Sequence, residues 1–132
     1  MRRQFRLPES DEAYLDSLDL PWETVVEQKA QWLIVQNHHV PDGYNCQTVF
    51  MALRIPPGYP DVQIDMAYFH PPLSLVDSRQ IGGLSLTQFD GKPWQQWSRH
   101  RTPQNPWRPG EDDIAAHCTL VGHWLRMEIR RS

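Results

Sequence analysis

Cysteine is scarce in this chain, with 2 among 132 residues. Two cysteines cannot build the disulfide framework that staples small secreted domains. Long apolar runs are missing as well, none approaching the roughly 20 residues that a membrane helix needs. Behind the basic start Met1-Arg2-Arg3-Gln4-Phe5 there is no apolar stretch of the kind a signal peptide carries. The expectation is a cytoplasmic protein with no membrane partner. A strong charge of either sign is also lacking: 13 Lys and Arg against 16 Asp and Glu leave a net −3, which gives no reason to expect nucleic acid. Nothing repeats and no segment is low-complexity. His38-His39 has no carboxylate or thiolate at ligand spacing, and His117 and His123 are six apart and cannot share a helix face. No metal and no cofactor are therefore expected. What the chain does have is 12 Pro and 6 Trp, in a length that fits a single domain over residues 1–132.

Along the chain, residues 1–22 read as a short helix with a basic lead. Ser10 suits an N-cap, Asp11 and Glu12 complement the helix dipole, Tyr14, Leu15 and Leu18 share a face, and Pro21 stops it. Residues 23–70 read as strands. Trp32-Leu33-Ile34-Val35 is β-prone and gives way to a polar stretch, Gln36 to Tyr44, with a turn at Pro41-Asp42-Gly43. Val49, Met51, Leu53 and Ile55 alternate with Thr48, Phe50, Ala52 and Arg54, and a third run alternates at Val62, Ile64, Met66 and Tyr68. Gaps this short suit an antiparallel meander, not crossover units. From Pro71 to Gly110 the periodicity is lost. Trp94, Trp97 and Trp107 argue against disorder there, so the segment reads as a long, ordered functional loop. A helix then opens at Glu111-Asp112-Asp113, with Ile114, Cys118, Val121, Leu125 and Ile129 as its buried stripe. Arg126, Arg130 and Arg131 suit its C-terminal end. The fold class is α+β.

Three proline motifs are more specific than the proline count: Pro56-Pro57-Gly58-Tyr59-Pro60, Phe69-His70-Pro71-Pro72 and Trp107-Arg108-Pro109. In this order the chain resembles the ubiquitin-conjugating (E2, or UBC-like) fold, from about residue 9 to 128. That pattern is an N-terminal helix, an antiparallel β-meander with a Tyr-Pro turn, a His-Pro-Asn tripeptide, a long active-site loop, a Trp-x-Pro element and a C-terminal helix. The stretch Trp94-Gln-Gln-Trp-Ser-Arg-His-Arg101 before Asn105-Pro-Trp-Arg-Pro-Gly-Glu-Asp-Asp113 is similar to divergent bacterial E2-like proteins of ubiquitin-like conjugation operons. The resemblance implies an acyl carrier with two partners, a ubiquitin-like protein and an E1-like adenylating enzyme. No Gly-rich phosphate loop is present, so ATP-dependent activation falls to that partner.

An E2 holds its cargo on a cysteine about eight residues before the Trp-x-Pro element. Counting back from Trp107 lands on Arg99 and, one further, Ser98, and no cysteine lies between Cys46 and Cys118. Pro72 replaces the tripeptide Asn and brings neither an amide side chain nor a backbone N–H, so another donor is required. Three readings follow. Ser98 carries the cargo as an oxyester, with His100 as its base and Arg99 and Arg101 stabilising negative charge or holding the cargo's tail. Ser85 and Thr87 are further hydroxyls of the loop, or else part of a small turn or flap. Alternatively, Cys118 beside His117, or Cys46, is the nucleophile, although Cys118 sits on an apolar stripe where cysteines are inert. The last reading is a non-catalytic E2-fold variant that scaffolds a ubiquitin-like protein or E1. By the same resemblance, His70 is chiefly structural and Trp107 and Pro109 pin the loop. Asp112 and Asp113 cap the final helix, or one of them orients an approaching lysine.

Overall fold

Apolar residues at every second position dominate the middle of the chain. In the computed structural model, which describes residues 1–131, they build one antiparallel sheet of six strands. The elements are α1 (Glu9–Ser17), β1 (Trp22–Glu27), β2 (Ala30–His39), β3 (Thr48–Ile55), β4 (Ala67–His70), β5 (Leu84–Phe89), β6 (Lys92–Trp97) and α2 (Ile114–Arg130). The spatial order is β1-β2-β3-β4-β6-β5, so only the last two strands depart from a simple meander. Leu33, Val35, Met51, Leu53, Phe69 and Trp97 face the helices and pack with Leu15 of α1 and Ile114, Val121 and Leu125 of α2.

The other face is covered by the sheet itself. A flat sheet with strands about 4.8 Å apart would hold β5 roughly 19 Å from β2. Yet the rings of Trp32 and Phe89 stack at 3.9 Å, and Phe89 stacks on Trp94 at 4.6 Å. The β5–β6 hairpin therefore curls back over β2. Its tip closes on the opposite edge, where the Asp90 N–H donates to the Glu27 carboxylate at 3.0 Å and Arg2 bridges Glu23 and Asp90. Burying each such aromatic ring contributes about 1.5–3 kcal/mol, which is what draws the hairpin over.

The hairpin corrects the expectation of an irregular loop from 71 to 110. Its signal is Asp90-Gly91, both left-handed at φ 51° and 70°, the turn chemistry a two-residue hairpin demands. Pro93 obscures it. Pro93 pairs with Gln88 at a position where its nitrogen faces away from β5, past the end of the β4 ladder, so its missing N–H breaks no strand bond. Ser85 and Thr87 thus belong to a strand, and the irregular parts shrink to residues 71–83 and 98–113.

Three smaller expectations also change. Helix α1 starts at Glu9 after Pro8 without a side-chain cap, so Ser10 is not the N-cap. The Glu12 carboxylate instead accepts from the Leu7 N–H at 3.0 Å. Strand β2 runs on to His39 through a bulge at Asn37, which takes φ 57°. The run from Val62 to Tyr68 becomes a strand only at Ala67, because Met66 sits at φ 61°. Helix α2 begins as expected, with the Asp113 carboxylate accepting from the Ala116 N–H at 2.9 Å.

Burial depresses two imidazoles. His38 falls to about 4, with the neighbouring His39 adding to the effect. His117 falls because burial, together with the Arg101 charge, outweighs its bond to the Met66 carbonyl. The unfolded chain takes up these protons near pH 6.5 and the fold does not. The stability is therefore fully present above about pH 6.5 and is lost as pH falls toward 4. Urea midpoints measured from pH 7 to 4.5 are expected to drop by an equivalent of about 1–3 kcal/mol, with a shallower slope in His38→Gln. A flat profile would refute this.

Candidate functional site

Strand β6 ends at the buried Trp97, and Ser98 follows with its N–H still bonded to the Gly83 carbonyl at 2.9 Å. Gly83 sits at φ 70°, and a Cβ there would lie 2.9 Å from Arg99 Nη1 and 3.3 Å from the Ser98 carbonyl. The left-handed backbone favours glycine here, and any side chain would push the Arg99 guanidinium aside. The partly exposed Ser98 hydroxyl accepts from the Gln96 side-chain amide at 3.3 Å. Ser85 lies directly across from Gln96, nearer to Ser98 than its place in the sequence suggests.

Arg99 is committed to structure. Its Nη1 donates to the Gly82 and Ser98 carbonyls at 3.0 and 3.2 Å, and its guanidinium lies 4.9 Å from the Trp97 ring centre. Glu128 of α2 stands 3.8 Å away. His100 turns outward, its Nδ1 2.9 Å from the Asp65 carboxylate. The carboxylate can only accept, so Nδ1 carries the hydrogen, and in the neutral ring Nε2 keeps its lone pair. Ser98 and His100 are therefore close in the chain but bonded to different partners. Asp65 lies 35 residues from His100, and no spacing in the sequence pointed to it.

Arg101 is buried, its guanidinium 4.9 Å from the Trp107 ring centre and 3.8 Å from Asp112. Trp107 donates to the Pro60 carbonyl at 3.0 Å and leans on Tyr59, joining the Trp-x-Pro element to the Tyr-Pro turn. Tyr59 in turn donates to Asp11 at 2.7 Å, and Asp11 also accepts from the Ile114 N–H. The Asp112 carboxylate accepts from the Arg108 N–H at 2.7 Å, while Asp113 caps α2. These contacts fix residues 98–101 and 107–113 between the sheet and α2.

His70 stands apart from this group. Its Nδ1 donates to the Pro93 carbonyl at 2.8 Å, at the start of β6, whereas Ser98 follows the end of that strand. Four to five residues at about 3.3 Å each separate them by roughly 15 Å. The turn at Pro72 is braced by side chains from elsewhere in the chain. Asn45 donates to the Pro72 carbonyl at 3.2 Å and accepts from the Ser74 N–H at 2.9 Å. On the buried side, Gln95 accepts from the Leu73 N–H at 2.9 Å and returns a bond to the Leu73 carbonyl at 3.0 Å. Cys46 follows Asn45 directly, so the fold brings it to the His-Pro-Pro turn despite the intervening sequence. The Cys118 thiol, by contrast, is pushed up to about 12, chiefly by burial, and a thiol held neutral is a poor nucleophile.

Among the described residues, no group of three His, Cys, Asp or Glu side chains could hold a metal ion, and no helix is long and apolar enough to cross a membrane. Neither the curated proteins nor the solved structures contain a match to the chain. The family described as prokaryotic E2 family E matches residues 7–128. That match spans the Tyr-Pro turn, the His-Pro-Pro turn, the loop bearing Ser98 and the Trp-x-Pro element. This chain, with its E2-like order of elements and no cysteine in the loop that follows them, belongs to prokaryotic E2 family E.

Proposed function

We propose that the chain accepts the activated C-terminus of a ubiquitin-like protein from an E1-like enzyme onto Ser98 and passes it to an amine. The observation that carries the reading is the Asp65–His100 pair two residues from a reachable hydroxyl. A carboxylate on Nδ1 holds an imidazole in the tautomer whose Nε2 can take a proton. In the loading step, Ser98 Oγ attacks the acyl carbonyl carbon, His100 Nε2 receives the hydroxyl proton, and the thiol or nucleotide of the activated acyl group departs. In transfer, an amine attacks the ester carbonyl and gives up a proton to His100 Nε2, which delivers it to the departing Ser98 oxygen as the amide forms. Bringing Nε2 onto Ser98 requires the exposed His100 side chain to rotate, and catalytic hydrogen bonds commonly tighten only with substrate bound. Arg99 and Arg101 steady the loop beside the developing charge, Trp107 holds the turn that frames it, His70 braces the His-Pro-Pro turn at the far end of β6, and Asp112 and Asp113 fix the start of α2.

The test is reconstitution with the E1-like enzyme, the ubiquitin-like protein and ATP. The expected product is a one-to-one adduct that resists thiols and is cleaved by mild base. Asp65→Asn is expected to slow loading by about 10²–10⁴-fold, since it favours the wrong imidazole tautomer, while leaving the urea midpoint nearly unchanged. An unaltered rate in Asp65→Asn would remove His100 from the mechanism.

The second reading is a non-catalytic scaffold for a ubiquitin-like protein or E1. One observation favours it: the Ser98 hydroxyl is bonded to an amide and not to a base. Tight binding of either partner with no adduct under loading conditions would select it.

A further inference from the structure

Among the described residues, Arg101 carries two of the buried side-chain nitrogens that lack a hydrogen-bond partner. Its side chain is only 6 % exposed, and Nε and Nη2 have no hydrogen-bond partner among the described residues. The Asp112 carboxylate, 3.8 Å from Nη1, neutralises charge at a distance but is too far to bond. A buried guanidinium with two idle donors is destabilising, and the two idle atoms share one edge. That edge presents two roughly parallel N–H groups, the geometry that receives both oxygens of a carboxylate.

Arg101 lines an open pocket of about 420 Å³ between the 98–113 loop and the outer face of α2, together with Asn105, Asp112, Thr119, His123 and Arg126. Thr119, His123 and Arg126 fall at i, i+4 and i+7 and so share that face. Arg126 is exposed and has no carboxylate partner among the described residues. Two guanidinium groups against one carboxylate leave the pocket with one net positive charge, which matches a monoanion better than a phosphate dianion.

We infer that this pocket binds a carboxylate of a partner polypeptide, held edge-on by Arg101 and steadied by Arg126. The Arg101 edge is covered in this conformation. A ligand reaches it when the exposed turn at residues 102–105, held across its ends by the Asn105 N–H to Thr102 carbonyl bond at 2.9 Å, swings outward. Exposed turns with few contacts open at low cost. The site does not depend on acylation of Ser98.

The experiment follows the Arg101 Nε–Hε resonance in ¹H–¹⁵N spectra of the full chain. The probes are acetyl-triglycine with a free terminus, acetyl-Gly-Glu-Gly-amide, acetyl-Gly-Gln-Gly-amide and inorganic phosphate. A saturable downfield shift with one or both carboxylate peptides at millimolar concentration is expected, and which of them binds tells a chain terminus from an acidic side chain. Arg126→Gln, on the exposed helix face, is expected to weaken binding about tenfold, and Ser98→Ala to leave it unchanged. The inference is overturned if neither carboxylate peptide moves the resonance, if the glutamine peptide or phosphate moves it equally, or if Arg126→Gln binds as wild type does.

Discussion

Ser98→Ala is expected to form no covalent adduct with the ubiquitin-like partner when E1-like enzyme and ATP are present, while Ser98→Cys forms one that thiols cleave. The contrast comes from the leaving group. An oxyester yields an alkoxide on aminolysis and a thioester yields the far less basic thiolate, so the serine adduct is slower to react and insensitive to exchange with thiols. The substitution removes one oxygen from a partly exposed position whose side chain, among the described residues, bonds only to the Gln96 amide. The fold should be disturbed by well under 1 kcal/mol, so loss of the adduct cannot be laid to unfolding. Intact-mass spectrometry of the reaction, with and without hydroxide treatment, makes the measurement. An adduct that persists in Ser98→Ala moves the chemistry elsewhere. Loss in Ser85→Ala instead would place it across the hairpin, on the residue paired with Gln96. No adduct in any variant, wild type included, leaves the scaffold reading.

Gln95→Ala is expected to cost about 3–5 kcal/mol of stability, against the 5–15 kcal/mol typical of a domain. Gln95 is buried and makes three bonds: to both the N–H and the carbonyl of Leu73 and, through Oε1, from Trp97 Nε1 at 2.8 Å. Truncation leaves all three partner groups without water or protein to bond, and each such orphan costs about 1–3 kcal/mol. The same change frees the His-Pro-Pro turn from its inner brace. Asn45→Ala removes the outer brace, which water can replace, and should cost only about 1–2 kcal/mol. Urea unfolding of both variants tests the pair. A loss below about 1 kcal/mol for Gln95→Ala would mean that the turn holds itself.

Local chemistry was legible wherever a single segment carries it. The stripe from Ile114 to Ile129 and the acidic cap at Asp113 define α2 because helical periodicity and capping are short-range. Alternation from Thr48 to Ile55 defines β3 for the same reason. The family's motifs were legible too, because turns at Tyr59-Pro60 and His70-Pro71 and the element at Trp107 are fixed by a few adjacent residues. The hairpin at Leu84–Trp97 was readable in principle from Asp90-Gly91. Pro93 hid it, since whether a proline breaks a strand depends on which neighbour its nitrogen faces.

Site geometry divides along the same line. From its order of residues the chain is an E2-like protein that lacks a cysteine where one is expected and has Ser98 and His100 in its place. The tertiary structure alone pairs Asp65 with His100, separates His70 from Ser98 by the length of β6, and carries Cys46 to the His-Pro-Pro turn. It also braces the His-Pro-Pro turn with Asn45 and Gln95. Each of these relations is between residues more than 20 positions apart, and such relations are set by how the sheet curls and where its hairpin lands. The burial that drives the curl depends on apolar area and not on sequence separation, so no local pattern in the chain records which partners it brings together.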